Sequence, residues 1–199
     1  MRSRANHFHG TASFYSRFRP DYPAALWNRL SDEASLSSSS VVLDLGCGTG
    51  AAALALAPKV AQVAGVDVDR AMLSEAARLA EARGVENVRW VCSRADEFNE
   101  SFENLALIVV ASAFHWMDRQ KVAQRGRELL PPGGVFAVTG NPNPVLQIRK
   151  REGVGAAIAE VQDRWFGQSE ELSPAALESV EEVLQRGDFA SVVRFEIPT

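Results

Sequence analysis

Val41-Val42-Leu43-Asp44-Leu45-Gly46-Cys47-Gly48-Thr49-Gly50 is the stretch that decides how this chain is read. Val41 to Leu45 is apolar apart from one aspartate, and the serines at 37–40 set it off upstream. A short apolar run bounded by turn formers reads as a buried parallel strand. Three glycines at alternate positions end it, and residues 51–57 begin a helical run. Glycine has no Cβ, so such a turn accepts positive φ and lets a ligand press against the backbone. Free N–H groups at the following helix start attract an electron-rich or anionic group. A tight strand-to-helix turn that binds nothing is the plainer alternative, and three glycines beside a partly buried carboxylate weigh against it.

The glycine spacing also fits G-x-G-x-x-A, the pattern of nicotinamide and flavin dinucleotide sites. Asp44 argues against that ligand, because a carboxylate two residues before the first glycine would repel a pyrophosphate. A ligand bearing an ammonium and a sulfonium suits it better. Asp44-Leu45-Gly46-Cys47-Gly48-Thr49-Gly50 resembles motif I of the class I S-adenosylmethionine (SAM)-dependent methyltransferases. That resemblance implies a Rossmann-like α/β fold, a mostly parallel sheet with helices on both faces. It also implies SAM as cofactor, with Asp44, Gly46, Cys47, Gly48 and Gly50 at its site.

At 199 residues one domain is expected, with a sizeable core. The net charge of −4 argues against general nucleic-acid binding. Cys47 and Cys92 are the two cysteines, and two unstapled thiols suggest a reducing cytoplasm. No apolar run reaches spanning length and no long apolar leader opens the chain, so no membrane association is expected. Two cysteines and three histidines at unrelated spacings offer no metal cluster.

Upstream, Tyr15-Ser16-Arg17-Phe18-Arg19-Pro20-Asp21-Tyr22-Pro23 resembles a segment preceding motif I in the trans-aconitate methyltransferase-like group. There it folds over the cofactor as a lid. The resemblance places Tyr15 and Arg17 near the methionine end of SAM, whose carboxylate suits a guanidinium. Arg19 falls to the substrate side, and the two arginines are interchangeable at this level. Residues 1–36 are thus lid and helix, with Leu26, Trp27 and Leu30 at helical spacing over 23–36. Trp27 reads as core.

Downstream, residues 60–66 form a second strand ending in Asp67-Val68-Asp69. A carboxylate there accepts both hydroxyls of a ribose. Asp67 takes this role because the family carries its acid in the same Gly-Val-Asp frame, while Asp69 caps a helix over 70–83. Val68 and Met72 flank the adenine or pack as ordinary core. Val88–Cys92 is a third strand. Family members often have Gly-Asp-Ala-Glu after it, whereas here Arg94 stands in the aspartate's place. Adenine contact then shifts to Ala95 and Asp96, with a helix cap as the other role open to Asp96.

Leu105–Ala111 reads as the central fourth strand, buried on both faces. At its carboxyl edge, where open α/β sheets place ligands, stands Ser112-Ala113-Phe114-His115-Trp116-Met117-Asp118. Ser112 is counted with the cofactor residues. The segment resembles the Ala-Phe-His-Trp-Phe-Asp motif of the same methyltransferase group. His115 then orients the nucleophile, accepts its proton or pairs with an acidic substrate, and Trp116 lines the pocket or packs beneath it. A helix over 120–130 and strand Val135–Thr139 complete a cofactor core at 41–139. Residues 141–190 read as substrate-cover helices and 191–197 as strand six. The superfamily's seventh strand has no counterpart, so the fold is expected with that strand missing and the C-terminus shortened.

The expected activity is methyl transfer from SAM to a small acceptor, with a carboxylic acid favoured by the basic lid. The expected assembly is a monomer or homodimer. Two alternatives stay open: a catalytically silent SAM-binding interaction module and an NAD-dependent oxidoreductase.

Overall fold

The computed structural model describes residues 12–18, 21–140 and 179–197. Contacts group Met1–Thr139 with Val180–Thr199 in one compact unit and Gly140–Ser179 in a second. The first unit holds every element described below; most of the second, including most of the expected cover at 141–190, lies outside the described residues.

Five parallel strands form one sheet: β1 (Val41–Leu45), β2 (Gln62–Asp67), β3 (Val88–Cys92), β4 (Leu105–Ala111) and β5 (Val135–Thr139), in the order β3-β2-β1-β4-β5. Helices α1 (Ala12–Phe18) and α2 (Ala24–Glu33) precede β1, and α3 (Ala51–Leu56) and α4 (Arg70–Ala82) separate the next strands. Next come α5 (Arg119–Leu129), between β4 and β5, and α6 (Val180–Arg186). This is the expected Rossmann-like arrangement. No helix among the described residues is long and apolar enough to cross a membrane.

Strand β1 is buried along its whole length, and its side chains alternate between two cores. Val41, Leu43 and Leu45 join Ile108, Val110, Phe114, Val122, Val183 and Leu184 on one face. Val42 joins Val63, Leu107, Val109 and the helix residues Leu26, Trp27, Leu30 and Leu56 on the other. In β4 the pairing register slips between Val41 and Val42, so Leu105 and Leu107 fall on opposite faces despite their even spacing. Such two-sided burial is why these strands read as continuous apolar runs. Burying a Leu or Val side chain stabilises a fold by roughly 1.5–3 kcal/mol, so these two cores carry most of the cohesion.

Several expected bounds shift. The second strand starts at Gln62, because Pro58 sits in a 3-10 turn, Ala57–Lys59, that delays it. The expected strand six is corrected: residues 191–197 form no strand. Val192 leans on one core and Ile197 on the other, while the Arg29 guanidinium lies 5.1 Å over the Phe195 ring. Alternating apolar residues there specify extended chain, but their contacts are with side chains instead of a neighbouring strand.

Candidate cofactor site

A cavity of about 260 Å³ opens above the carboxyl ends of β1, β2 and β4. The strand order reverses between β1 and β4, so this is the switch point at which open α/β sheets leave a crevice.

Its floor is the glycine turn. Gly46, Gly48 and Gly50 all have positive φ, at 71°, 53° and 82°. They do different work. A Cβ on Gly46 would stand 2.6 Å from both Ala113 Cβ and Met117 Cε, so this glycine lets the β4 loop close on the turn. A Cβ on Gly48 would meet nothing within 4 Å; its backbone faces open space in the cavity lining. Gly50 is not among the lining residues. A Cβ there would meet the Trp90 ring at 2.6 Å.

Asp44 is fully buried beneath this turn. One carboxylate oxygen, Oδ2, accepts the Ala53 N–H of α3 at 3.1 Å. The other, Oδ1, is buried without a hydrogen-bond partner. Burial chiefly, and the Asp67 charge in smaller part, push the Asp44 pKa up to about 7 against the opposing pull of the Ala53 amide. Most buried polar atoms have partners, and an orphan in a cavity lining marks a place for one.

Asp67, at the end of β2, ties the turn to the sheet. Its Oδ2 accepts Gly48 N–H at 2.8 Å and its Oδ1 accepts Asp69 N–H at 2.9 Å. Burial, more than any neighbouring charge, raises its pKa. Each oxygen keeps a lone pair for a hydroxyl. Asp69 caps α4 as expected, accepting from Ala71 N at 2.8 Å and Met72 N at 3.3 Å. Val68 is 44% exposed at the rim and Met72 is buried, and both line the cavity.

Ala95 and Asp96 line the same end, over β2 and β3. Arg94 Nη2 donates to Asp96 Oδ2 at 2.8 Å, and its Nε lies 3.1 Å from Glu97. The hydrogen bond from Arg94 is the main reason the Asp96 carboxyl is held below its usual range. The residue that departs from the family pattern thus supports the acid next to it.

The opposite end is closed by Tyr22, Ser112, Ala113, Trp116 and Met117. Ser112 is a non-glycine residue at φ 52°, and its Oγ accepts from Tyr22 Oη at 2.8 Å. Trp116 is 44% exposed at this rim. His115 is not among the lining residues. Its ring centroid is 4.9 Å from that of Trp116, and partial burial, with the Arg119 charge second, lowers its pKa.

Of the expected lid contacts to the cofactor, Arg17 stands apart from the cavity. Arg17 is exposed, its guanidinium 5.5 Å over the Phe18 ring, and is not among the lining residues. Helix α1 is held to α4 by Ser16 Oγ donating to Glu75 at 2.7 Å. Arg19 and the Tyr15 side chain lie outside the described residues. Sequence reasoning missed Tyr22, Thr49, Ser93 and Met117 as lining residues. Tyr22, Thr49 and Met117 each left a signal, standing inside the quoted lid segment, glycine turn and β4 loop.

Residues 42–134 match a family model described as a methyltransferase domain. That region is a class I SAM-dependent methyltransferase domain. The probable S-adenosylmethionine-dependent methyltransferase CRG1 of Saccharomyces cerevisiae is 29% identical over 128 residues, 63% of this chain and 44% of that protein. The uncharacterized methyltransferase YcgJ of Bacillus subtilis is 32% identical over 104 residues, 52% of this chain and 41% of that protein. Its crystal structure superposes with a TM-score of 0.56 at 25% identity, covering 64% of this chain and 59% of that one. The tRNA (uracil-5-)-methyltransferase homolog A of Mus musculus is 38% identical over 82 residues, 40% of this chain and 13% of that protein. The chain spans less than half the length of these curated relatives.

The residues of this methyltransferase domain fit SAM. The orphaned Asp44 Oδ1 answers an ammonium, and the open face at Gly48 admits a ligand against the backbone. Asp67 has lone pairs for a ribose, and Val68 and Met72 give apolar walls for a flat base.

Proposed function

We propose that this chain transfers a methyl group from SAM to a small-molecule acceptor. The observation that carries the reading is the unpaired Asp44 oxygen at the foot of an open glycine turn. In this reading Asp44 holds the ammonium, Asp67 the ribose hydroxyls, and Ala95 and Asp96 the adenine edge. Gly46, Cys47, Gly48 and Gly50 shape the floor, and Ser112 meets the methionine end. Tyr15 and Arg17 belong to the lid.

SAM, when bound, supplies a methyl group on a sulfonium, a donor already activated for in-line displacement. The chain's own residues contribute alignment and exclusion of water. Trp116 lines the acceptor side, with Arg19 assigned to substrate. His115, with its pKa lowered, stays neutral at pH 7 and so is able to accept a proton. Its place behind Trp116 favours orienting that ring over reaching the acceptor directly. A carboxylic acid is the acceptor class that basic lid residues favour.

An RNA acceptor is the second reading, supported by the likeness to the tRNA methyltransferase homologue. The net charge of −4 favours the small molecule. The test is release of S-adenosylhomocysteine (SAH) from SAM in the presence of pooled small carboxylic acids, phenols and amines, with bulk RNA in a parallel arm. Turnover in the first arm alone supports the proposal. Turnover on RNA alone replaces the acceptor, and SAH binding without turnover in any arm favours a silent module.

A further inference from the structure

Tyr22 has no role in the reading above, yet it lines the cavity and is only 8% exposed. Its ring sits edge-on to Trp27 with centroids 5.2 Å apart, which fixes the phenol with little freedom. From there Tyr22 Oη donates to Ser112 Oγ at 2.8 Å. Ser112 is held in a left-handed conformation, with its N–H bonded to Thr139 O at 2.7 Å. A non-glycine residue at positive φ carries a local cost that persists only where its surroundings impose it, and such residues cluster at functional sites. Because Ser112 Oγ accepts from Tyr22, the hydroxyl's own proton is turned away from the phenol.

The cavity's charge pattern says what that proton meets. Asp44, with one unpaired oxygen, lies under the same end of the cavity, at the head of β1 beside β4. Gly46 and Ala113 are in close approach there, so the Ser112 loop overhangs the glycine turn. A carboxylate oxygen that wants a cation and a hydroxyl with a proton to give make complementary halves of a site for an ammonium with a carboxylate near it.

We propose that Tyr22 is a positioning residue: it orients the Ser112 hydroxyl to donate to a carboxylate at the β1/β4 end of the cavity. The proposal rests on the SAM reading above. Two sources supply that chemistry, the methionine carboxylate of the cofactor and a carboxylate of the acceptor.

Calorimetric titration of Tyr22→Phe, Ser112→Ala, Ser112→Gly and the double variant Tyr22→Phe/Ser112→Ala tests it. The probes are SAH and 5′-methylthioadenosine, which shares the nucleoside and thioether but lacks the amino acid. Loss of a hydrogen bond to a charged group weakens SAH roughly tenfold in each single variant and leaves 5′-methylthioadenosine within about twofold. Tyr22→Phe in the Ser112→Ala background costs nothing further, since the phenol acts only through the serine. Ser112→Gly relieves the positive φ, so it melts higher than wild type and still binds SAH weakly, a pairing that a purely structural role does not produce.

If SAH is unchanged, citrate binding to the SAH-saturated protein reads the acceptor arm, and its loss in the same variants assigns the carboxylate to the acceptor. Unchanged SAH, 5′-methylthioadenosine and citrate binding across the variants overturns the proposal while the SAM reading stands. Failure of wild type to bind SAH removes both.

Discussion

Asp44 carries a charge conflict that the fold resolves by half. In the folded chain its pKa is about 7 against an ordinary 3.8. Below pH 4 the group is protonated in both folded and unfolded chains and costs nothing. As pH rises from about 4 through 7, the unfolded chain sheds the proton while the folded chain retains it, so stability falls across that window and then levels. Asp67 shifts in the same direction, so Asp44→Asn flattens the profile in part. Chemical denaturation from pH 4 to 8 should show the variant gaining stability over wild type as pH rises. Binding shows the opposite trend. An ammonium pairs with the ionised carboxylate, so SAH affinity of wild type rises toward pH 7, with proton release visible as buffer-dependent heat. Asp44→Asn should lose about tenfold or more of that affinity, given roughly 1.5–3 kcal/mol for a charge-assisted hydrogen bond. A variant that binds as tightly as wild type at pH 8 would sink the assignment of Asp44.

The neighbouring glycines separate folding from binding. Gly46→Ala drives a methyl into Ala113 and Met117, and the expected outcome is a poorly folded chain. Gly48→Ala meets no protein atom, so it costs only the left-handed strain of roughly 1–2 kcal/mol. Its methyl projects where the ligand would lie, so SAH binding should fall far more than the melting temperature does. Equal losses in stability and binding would refute the distinction.

At the scale of elements, what the sequence announces well is local chemistry. The glycine turn, the Asp69 cap and the apolar runs of β1 and β4 each follow from a short stretch whose residues act on one another. Asp67 shows the boundary. Its position at a strand end and its hydrogen bond from Asp69 N–H two residues on are local, but the hydrogen bond it accepts from Gly48 N–H joins residues 19 positions apart, beyond the reach of a motif. Residues 191–197 show the same boundary from the other side, since alternation gives extended chain but not its partner. Helix-to-sheet fit is equally silent: Gly126 looks like a weak point in α5, yet a Cβ there would strike the Phe136 ring. Phe136 is itself flanked by Phe114 and Phe189, with centroids 6.3 and 5.3 Å away, so the ring has little room to retreat. Gly126→Ala raises helix propensity by roughly 1 kcal/mol and overpacks the interface by about 1–3 kcal/mol. A lower melting temperature is therefore expected; a higher one would mean that α5 slides on β5 freely.

Across the whole molecule, ligand choice is decided by how the sheet presents charge. The order β3-β2-β1-β4-β5 sets Asp67 over one side of the switch point and Asp44 directly beneath it. Two carboxylates with raised pKa values facing one crevice make it hostile to a pyrophosphate and hospitable to a cation. The dinucleotide alternative and the methyl-donor reading therefore predict different thermal shifts. A ligand at a hundred times its dissociation constant stabilises the fold by about 2.7 kcal/mol. For a chain of this size that corresponds to a rise of roughly 5–10 °C in melting temperature. SAH should produce such a rise and NAD none. The SAH shift should also shrink below pH 7, where a proton on Asp44 competes with the ammonium, whereas a nucleotide held only by its sugar and base would be indifferent to that protonation. A melting-temperature rise with NAD and none with SAH would return the crevice to dinucleotide chemistry.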